Sequence, residues 1–143
     1  MNTTTAQATA NPIENILDNL KPAIDLAGRV GLAAIFALAG MNKIQHYDAN
    51  AQFLASDGLP AELLPLVILF ELVAAAFVIV GFQTRITALA LAGFSVVTAL
   101  LYHSNLGDQM QFLFFFKNIA MAGGFLVLAA NGAGKLSIDA RRQ

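Results

Sequence analysis

LLPLVILFELVAAAFVIVG, from Leu63 to Gly81, is a near-continuous run of hydrocarbon interrupted by one carboxylate, Glu71. A helix of this length spans the roughly 30 Å hydrocarbon core of a bilayer. A carboxylate at that depth costs about 2.5–3.5 kcal/mol on insertion scales, so Glu71 requires a partner or a purpose.

Three further stretches read the same way: Ala23–Met41, Ile86–Tyr102 and Phe112–Ala130. The 143 residues are 57% hydrophobic and 12% charged, with a mean hydropathy of +0.66. A soluble domain this small has too little interior to hide that much apolar surface. The sequence therefore predicts an all-α fold, a polytopic bundle of four transmembrane helices over residues 23–41, 63–81, 86–102 and 112–130. The runs lack the alternation of a membrane β-barrel. A net charge of −1 gives no reason to expect a nucleic-acid partner. With no cysteine, the chain holds no disulfide, thiol redox centre or iron–sulfur ligand. Two histidines at unrelated helix ends make a poor haem pair, and no metal site is expected.

Residues 1–11 form a polar tail without periodicity, expected to be disordered. Residues 12–139 are read as a single transmembrane domain, and residues 140–143 as its basic end. Asn11-Pro12-Ile13-Glu14 carries helix-start chemistry: an N-cap, a proline at N1 and an acid at N3. Ile13, Ile16, Leu17, Leu20 and Ile24 then share one stripe, which predicts an N-terminal amphipathic helix in the membrane interface, turning inward near Pro22. Asp25 and Arg29 stand i,i+4 in the first span and are expected to form a structural ion pair. Asp48 to Ser56 can form a short helix ending at Gly58 and Pro60. The four residues Phe82–Arg85 join the second and third spans, which predicts antiparallel neighbours. Lys21, Arg85, Lys135, Arg141 and Arg142 fall on one side of the membrane and only Lys43 on the other, so both termini are expected in the cytoplasm.

Several ionisable groups then gather in one outer-leaflet layer. Glu71 lies roughly 12 Å in from that face and Lys117 roughly 7–8 Å, while Lys43, His46 and His103 sit at helix ends. Glu71 and His103 are candidate catalytic proton carriers. Lys43, Lys117 and Asn118 are candidates for binding a substrate. Two lysines against one glutamate leave positive charge, which suits a small anion or the oxygen of a quinone head group. A lysine that merely snorkels to the interface, or a purely structural Glu71–Lys pair, is the plain alternative.

Arg29, IFALAGMNKI (Ile35–Ile44), DGLP (Asp57–Pro60), Glu71, GFQTR (Gly81–Arg85), His103 and GAGKLSID (Gly132–Asp139) follow one another in order. Together they resemble the DoxX family of small four-helix bacterial membrane proteins, over about Leu26 to Asp139. Lys43, Glu71, Arg85 and His103 match its recurring polar residues; Ala133 departs from it, where many relatives have proline. The resemblance implies an inner-membrane protein, and some members are similar to the small membrane subunit of thiosulfate:quinone oxidoreductase. The resulting expectation is the membrane subunit or accessory of a quinone-linked oxidoreductase, with quinone as the only cofactor and none covalently bound. Its partners would be the bilayer, an oxidoreductase subunit and a second copy of itself. A permease for a small anion or metabolite and a non-catalytic scaffold are the alternatives.

Overall fold

The computed structural model describes residues 11–142; the tail expected to be disordered lies outside them, apart from Asn11. The described residues form helices and turns with no strand. In order they are α1 (Pro12–Gln45), α2 (Tyr47–Ser56), a 3₁₀ turn (Ala61–Leu63), α3 (Leu64–Val80), α4 (Thr84–Tyr102), α5 (Gln109–Asn131) and α6 (Ile138–Arg141). Four helices are long and apolar enough to cross a membrane: α1, α3 with its preceding turn, α4 and α5.

The expected cap opens α1: the Asn11 side chain accepts from the Ile13 amide at 3.1 Å, with Pro12 at N1. The turn expected at Pro22 is absent. α1 instead runs unbroken for 34 residues, roughly 51 Å and well beyond the hydrocarbon thickness. A proline removes one amide donor from the ladder, but the Lys21 ammonium reaches Asp25 at 2.8 Å and bridges that turn. The stripe Ile13, Ile16, Leu17, Leu20 and Ile24 is exposed along the projecting part of the helix.

α1 packs along α3, and α4 along α5. The short α3–α4 connection brings those helices together less extensively than expected from its length. Small residues explain the difference. Leu72 of α3 lies against Gly40 of α1, whereas Phe70 and Phe94 meet between α3 and α4 with ring centroids 5.0 Å apart. A lipid-facing cleft of about 420 Å³, lined by Leu66, Phe70, Phe94 and Val97, opens there. Alanines of all four long helices close around Phe36 and Phe125, whose rings meet edge-on at 5.5 Å. The outside is apolar too, with Leu38 and Ile86 each 68% exposed, as a bilayer demands.

The bundle has two ends. One carries α2 and the connection from α4 to α5, and is called the loop end. The other carries the start of α1, the α3–α4 turn and α6, and is called the termini end. At the loop end α2 covers the start of α3, Leu54 packing with Leu64 and Ile68 and Phe53 stacking on Tyr102.

Candidate functional site

Glu71 meets Lys43. The Lys43 ammonium donates to both carboxylate oxygens, at 2.8 and 2.9 Å. The glutamate side chain is 4% exposed and the lysine 20%, so the acid is sealed while the cation still reaches the helix end. The close approach of α1 and α3 at Gly40 brings the lysine, three residues on, within reach of the second helix. Opposite charges held this way offset the desolvation that either would suffer alone.

The other expected members of the layer are engaged elsewhere. His103 Nδ1 pairs with Gln111 Oε1 at 2.7 Å, and its ring stacks against Phe114. Lys117 lies over the same Phe114 ring, 4.8 Å from its centroid. Asn118 is buried and donates to the Phe114 carbonyl one turn back, at 2.9 Å. Among the described residues, no hydrogen bond or ion pair joins the His103, Lys117 and Asn118 set to Lys43–Glu71. The expected convergence thus separates into one pair between α1 and α3 and one set on α4 and α5.

The Asp25–Arg29 ion pair is replaced by different partners. Asp25 takes Lys21, four residues earlier. Arg29, 1% exposed, donates from Nη1 to the carbonyls of Val78 and Ile79 at 3.1 and 2.9 Å, and from Nη2 to that of Leu136. Val78 and Ile79 lie in the last turn of α3, whose carbonyls lack the next turn of helix and where the helix dipole favours a cation. Arg29 therefore ties α1 to α3 and to the segment that follows α5.

That segment, GAGKLSID, folds back across the termini end. α3 stops at Gly81 in the left-handed region (φ 70°), with the Phe82 amide closing on the Phe77 carbonyl at 2.9 Å. A side chain at Gly81 would collide with Ser137 and with Arg29, and one at Gly134 (φ 77°) with Asp25. Asp139 accepts from the amides of Gln83 and Thr84, both at 2.8 Å, and so caps the start of α4. Its own amide donates to the Gly81 carbonyl at 2.8 Å. Partial burial opposes its charge, but the Thr84 and Gln83 amides and nearby Arg142 outweigh this and hold the carboxyl below the ordinary carboxylate range. Among the described residues, neither the Thr84 hydroxyl, which lies by this carboxylate, nor Arg29 Nε completes a hydrogen bond.

This second polar centre was not assigned from sequence. Its signals were present as the GFQTR and GAGKLSID segments, where glycines alternate with serine, aspartate and basic residues. A cavity of about 620 Å³ opens beside it, between α1, the α3–α4 turn and the returning segment; Lys21, Arg85 and Lys135 are among its lining residues.

The chain is 43% identical over 114 residues to the inner membrane protein YqjF of Escherichia coli (strain K12), covering 80% of this chain and 88% of that one. It is 33% identical over 128 residues to the inner membrane protein YphA of the same organism, covering 85% and 91%. No solved structure matches. The DoxX family model matches residues 24–104, from α1 through the end of α4, and the chain belongs to the DoxX family of inner membrane proteins.

Proposed function

We propose that this protein is a non-catalytic membrane subunit, accessory to a quinone-linked oxidoreductase, that holds a quinone head group or small anion against Lys43 in the outer leaflet. The observation behind this reading is the asymmetry of the Lys43–Glu71 pair: a buried carboxylate fixes an ammonium that stays partly exposed. Such an ammonium donates to a quinone carbonyl or an anion, while Glu71 keeps the empty site electrically neutral. With no cysteine for a thiolate centre, electrons come from the partner subunit. Both termini lie in the cytoplasm, following the distribution of basic residues. The projecting part of α1 leans its apolar stripe on the cytoplasmic interface or on a second copy.

The test is purification in a mild detergent, followed by extraction and quantification of quinone and identification of co-purifying proteins. Wild-type protein should carry quinone and an oxidoreductase subunit, and Lys43→Met should carry several-fold less quinone while still folding. Equal quinone in both proteins would remove the ligand, and absence of any oxidoreductase subunit would remove the partner. Reporter fusions at Asp57 and Asp108 should read as outside the cytoplasm.

A scaffold without ligand is the second reading. The engagement of His103 by Gln111 ties the end of α4 to α5, and Lys117 rests on a ring of its own helix; both groups are then occupied within the bundle, which favours this reading.

A further inference from the structure

The cavity at the termini end has a division of labour among its charges. Of its acids, Asp25 is held by Lys21 and Asp139 is spent capping α4. Asp18, at the rim on α1, is exposed and forms no ion pair among the described residues. Its cations differ: Arg85 and Lys135 make no hydrogen bond or salt bridge to a side chain among the described residues, and both line the space. Arg85 is also placed. Its guanidinium lies along Gly132, where an added Cβ would stand 3.5 Å from Nε and 3.6 Å from Nη2. The exposed guanidinium thus passes close enough to Gly132 that any larger residue there would touch it, on the first turn of α4. A guanidinium with its donors unspent matches the oxygens of a phosphate, and the neighbouring ammonium adds a second positive charge.

Location supports the same ligand class. The lining residues come from the ends of apolar helices, the level at which phosphodiester head groups sit. The volume falls within the usual range for a small-molecule site, and basic pockets between transmembrane helices recruit anionic head groups. We propose that this cavity binds a phosphate group, through Arg85 and Lys135, and that the source is the head group of an anionic phospholipid. This reading is independent of the function proposed for the loop end.

The test uses the full chain purified in detergent and relipidated with phosphatidylcholine, with phosphatidylglycerol, or with both, and native mass spectrometry counts the retained lipid. Wild-type protein should keep phosphatidylglycerol in roughly tenfold preference to phosphatidylcholine. Arg85→Gln/Lys135→Gln should lose the preference, and Arg141→Gln, a basic residue outside the cavity, should keep it. Should the double variant fail to fold, Lys135→Gln alone, at an exposed position, should still reduce the preference. In a second arm, inorganic phosphate is added to lipid-depleted protein. A rise in melting temperature of wild type but not of the variants, without any lipid preference, would support the phosphate site and assign it to a soluble phosphate compound. A lipid preference that survives in the variants, or no response to either probe, overturns the proposal.

Discussion

Each end of this bundle buries a charge, and each neutralises it by a different device. At the loop end Glu71 is met by an opposite charge, a single lysine donating to both its oxygens. At the termini end no acid among the described residues lies within bonding distance of Arg29; three backbone carbonyls from two separate segments accept its hydrogen bonds. The first device joins two helices and can be cut at either of two side chains. The second joins α1, α3 and the chain after α5, and its acceptors cannot be mutated away. The termini end is therefore the mechanical closure of the bundle, and the loop end its more adjustable part.

The largest effects should follow from breaking that closure. Arg29→Ala leaves the Ile79 and Leu136 carbonyls without their side-chain donor, and the Val78 carbonyl with only the Gly81 amide, at about 1–3 kcal/mol for each group left unpaired before relaxation. The expected outcome is loss of the folded protein from detergent extracts or a melting temperature too low to measure. Arg29→Lys should recover only part, because an ammonium lacks the fork that reaches two segments at once. Gly81→Val should approach the same severity, as it forces a β-branched residue into the left-handed region and against Ser137. A melting temperature for Arg29→Ala near that of wild type would show that the returning segment does not hold the bundle.

At the loop end the effects should be smaller. Glu71→Ala leaves Lys43 without an acceptor, yet the lysine retains a route outward, being one-fifth exposed. A loss of about 1–3 kcal/mol is expected, less for Glu71→Gln, which keeps an acceptor. Lys43→Met added to Glu71→Ala should restore part of it, a coupling of about 1 kcal/mol or more in a double-mutant cycle of thermal unfolding. Strict additivity would contradict the ion pair.

The ease with which sequence gave up these features follows the same division. Four apolar runs announce four helices because a bilayer requires about twenty residues per crossing. Approximate depth is likewise legible, since rise per residue is fixed, so a lysine of the same layer could be expected to pair with Glu71, though not which one. Rotation about the bundle axis is not legible from one chain. His103 and Lys117 were expected in the same outer-leaflet layer as Glu71, but which helices pair most closely depends on where small and large side chains meet. The Arg29 site was hidden for another reason. Its acceptors are backbone carbonyls, which every residue has, and the nearest acid along the helix, Asp25, was already claimed by Lys21. Pro22 misled in the same way, because a local breaker was overridden by the side chains bridging it.

Asp139 gives the termini end a dependence on pH. Its carboxyl titrates below the ordinary value of 3.8 in the folded protein, so its cap on α4 is fully present above that value. It is lost as pH falls through the lowered folded value, when the protonated acid no longer attracts two amides. Asp139→Asn should therefore lower stability near neutrality by about 1 kcal/mol, the usual worth of an N-cap. It should also flatten the acid limb of a melting-temperature profile below about pH 4. An acid limb unchanged by the substitution would place the titrating group elsewhere.

The smallest effect separates the two lysines. Lys117 is exposed and holds only the face of Phe114, an interaction worth about 0.5–1 kcal/mol at exposed sites. Methionine at that position keeps the apolar stem, removes a charge from the bilayer boundary and still packs on the ring. Lys117→Met should therefore change thermal stability by no more than about 0.5 kcal/mol. It should show no coupling to Glu71→Ala, whereas Lys43→Met couples strongly. Coupling of Lys117 to Glu71 comparable with that of Lys43 would require both lysines to meet one carboxylate. The α4–α5 pair would then have to sit rotated about the bundle axis from the arrangement described, with the two polar sets at the loop end forming one.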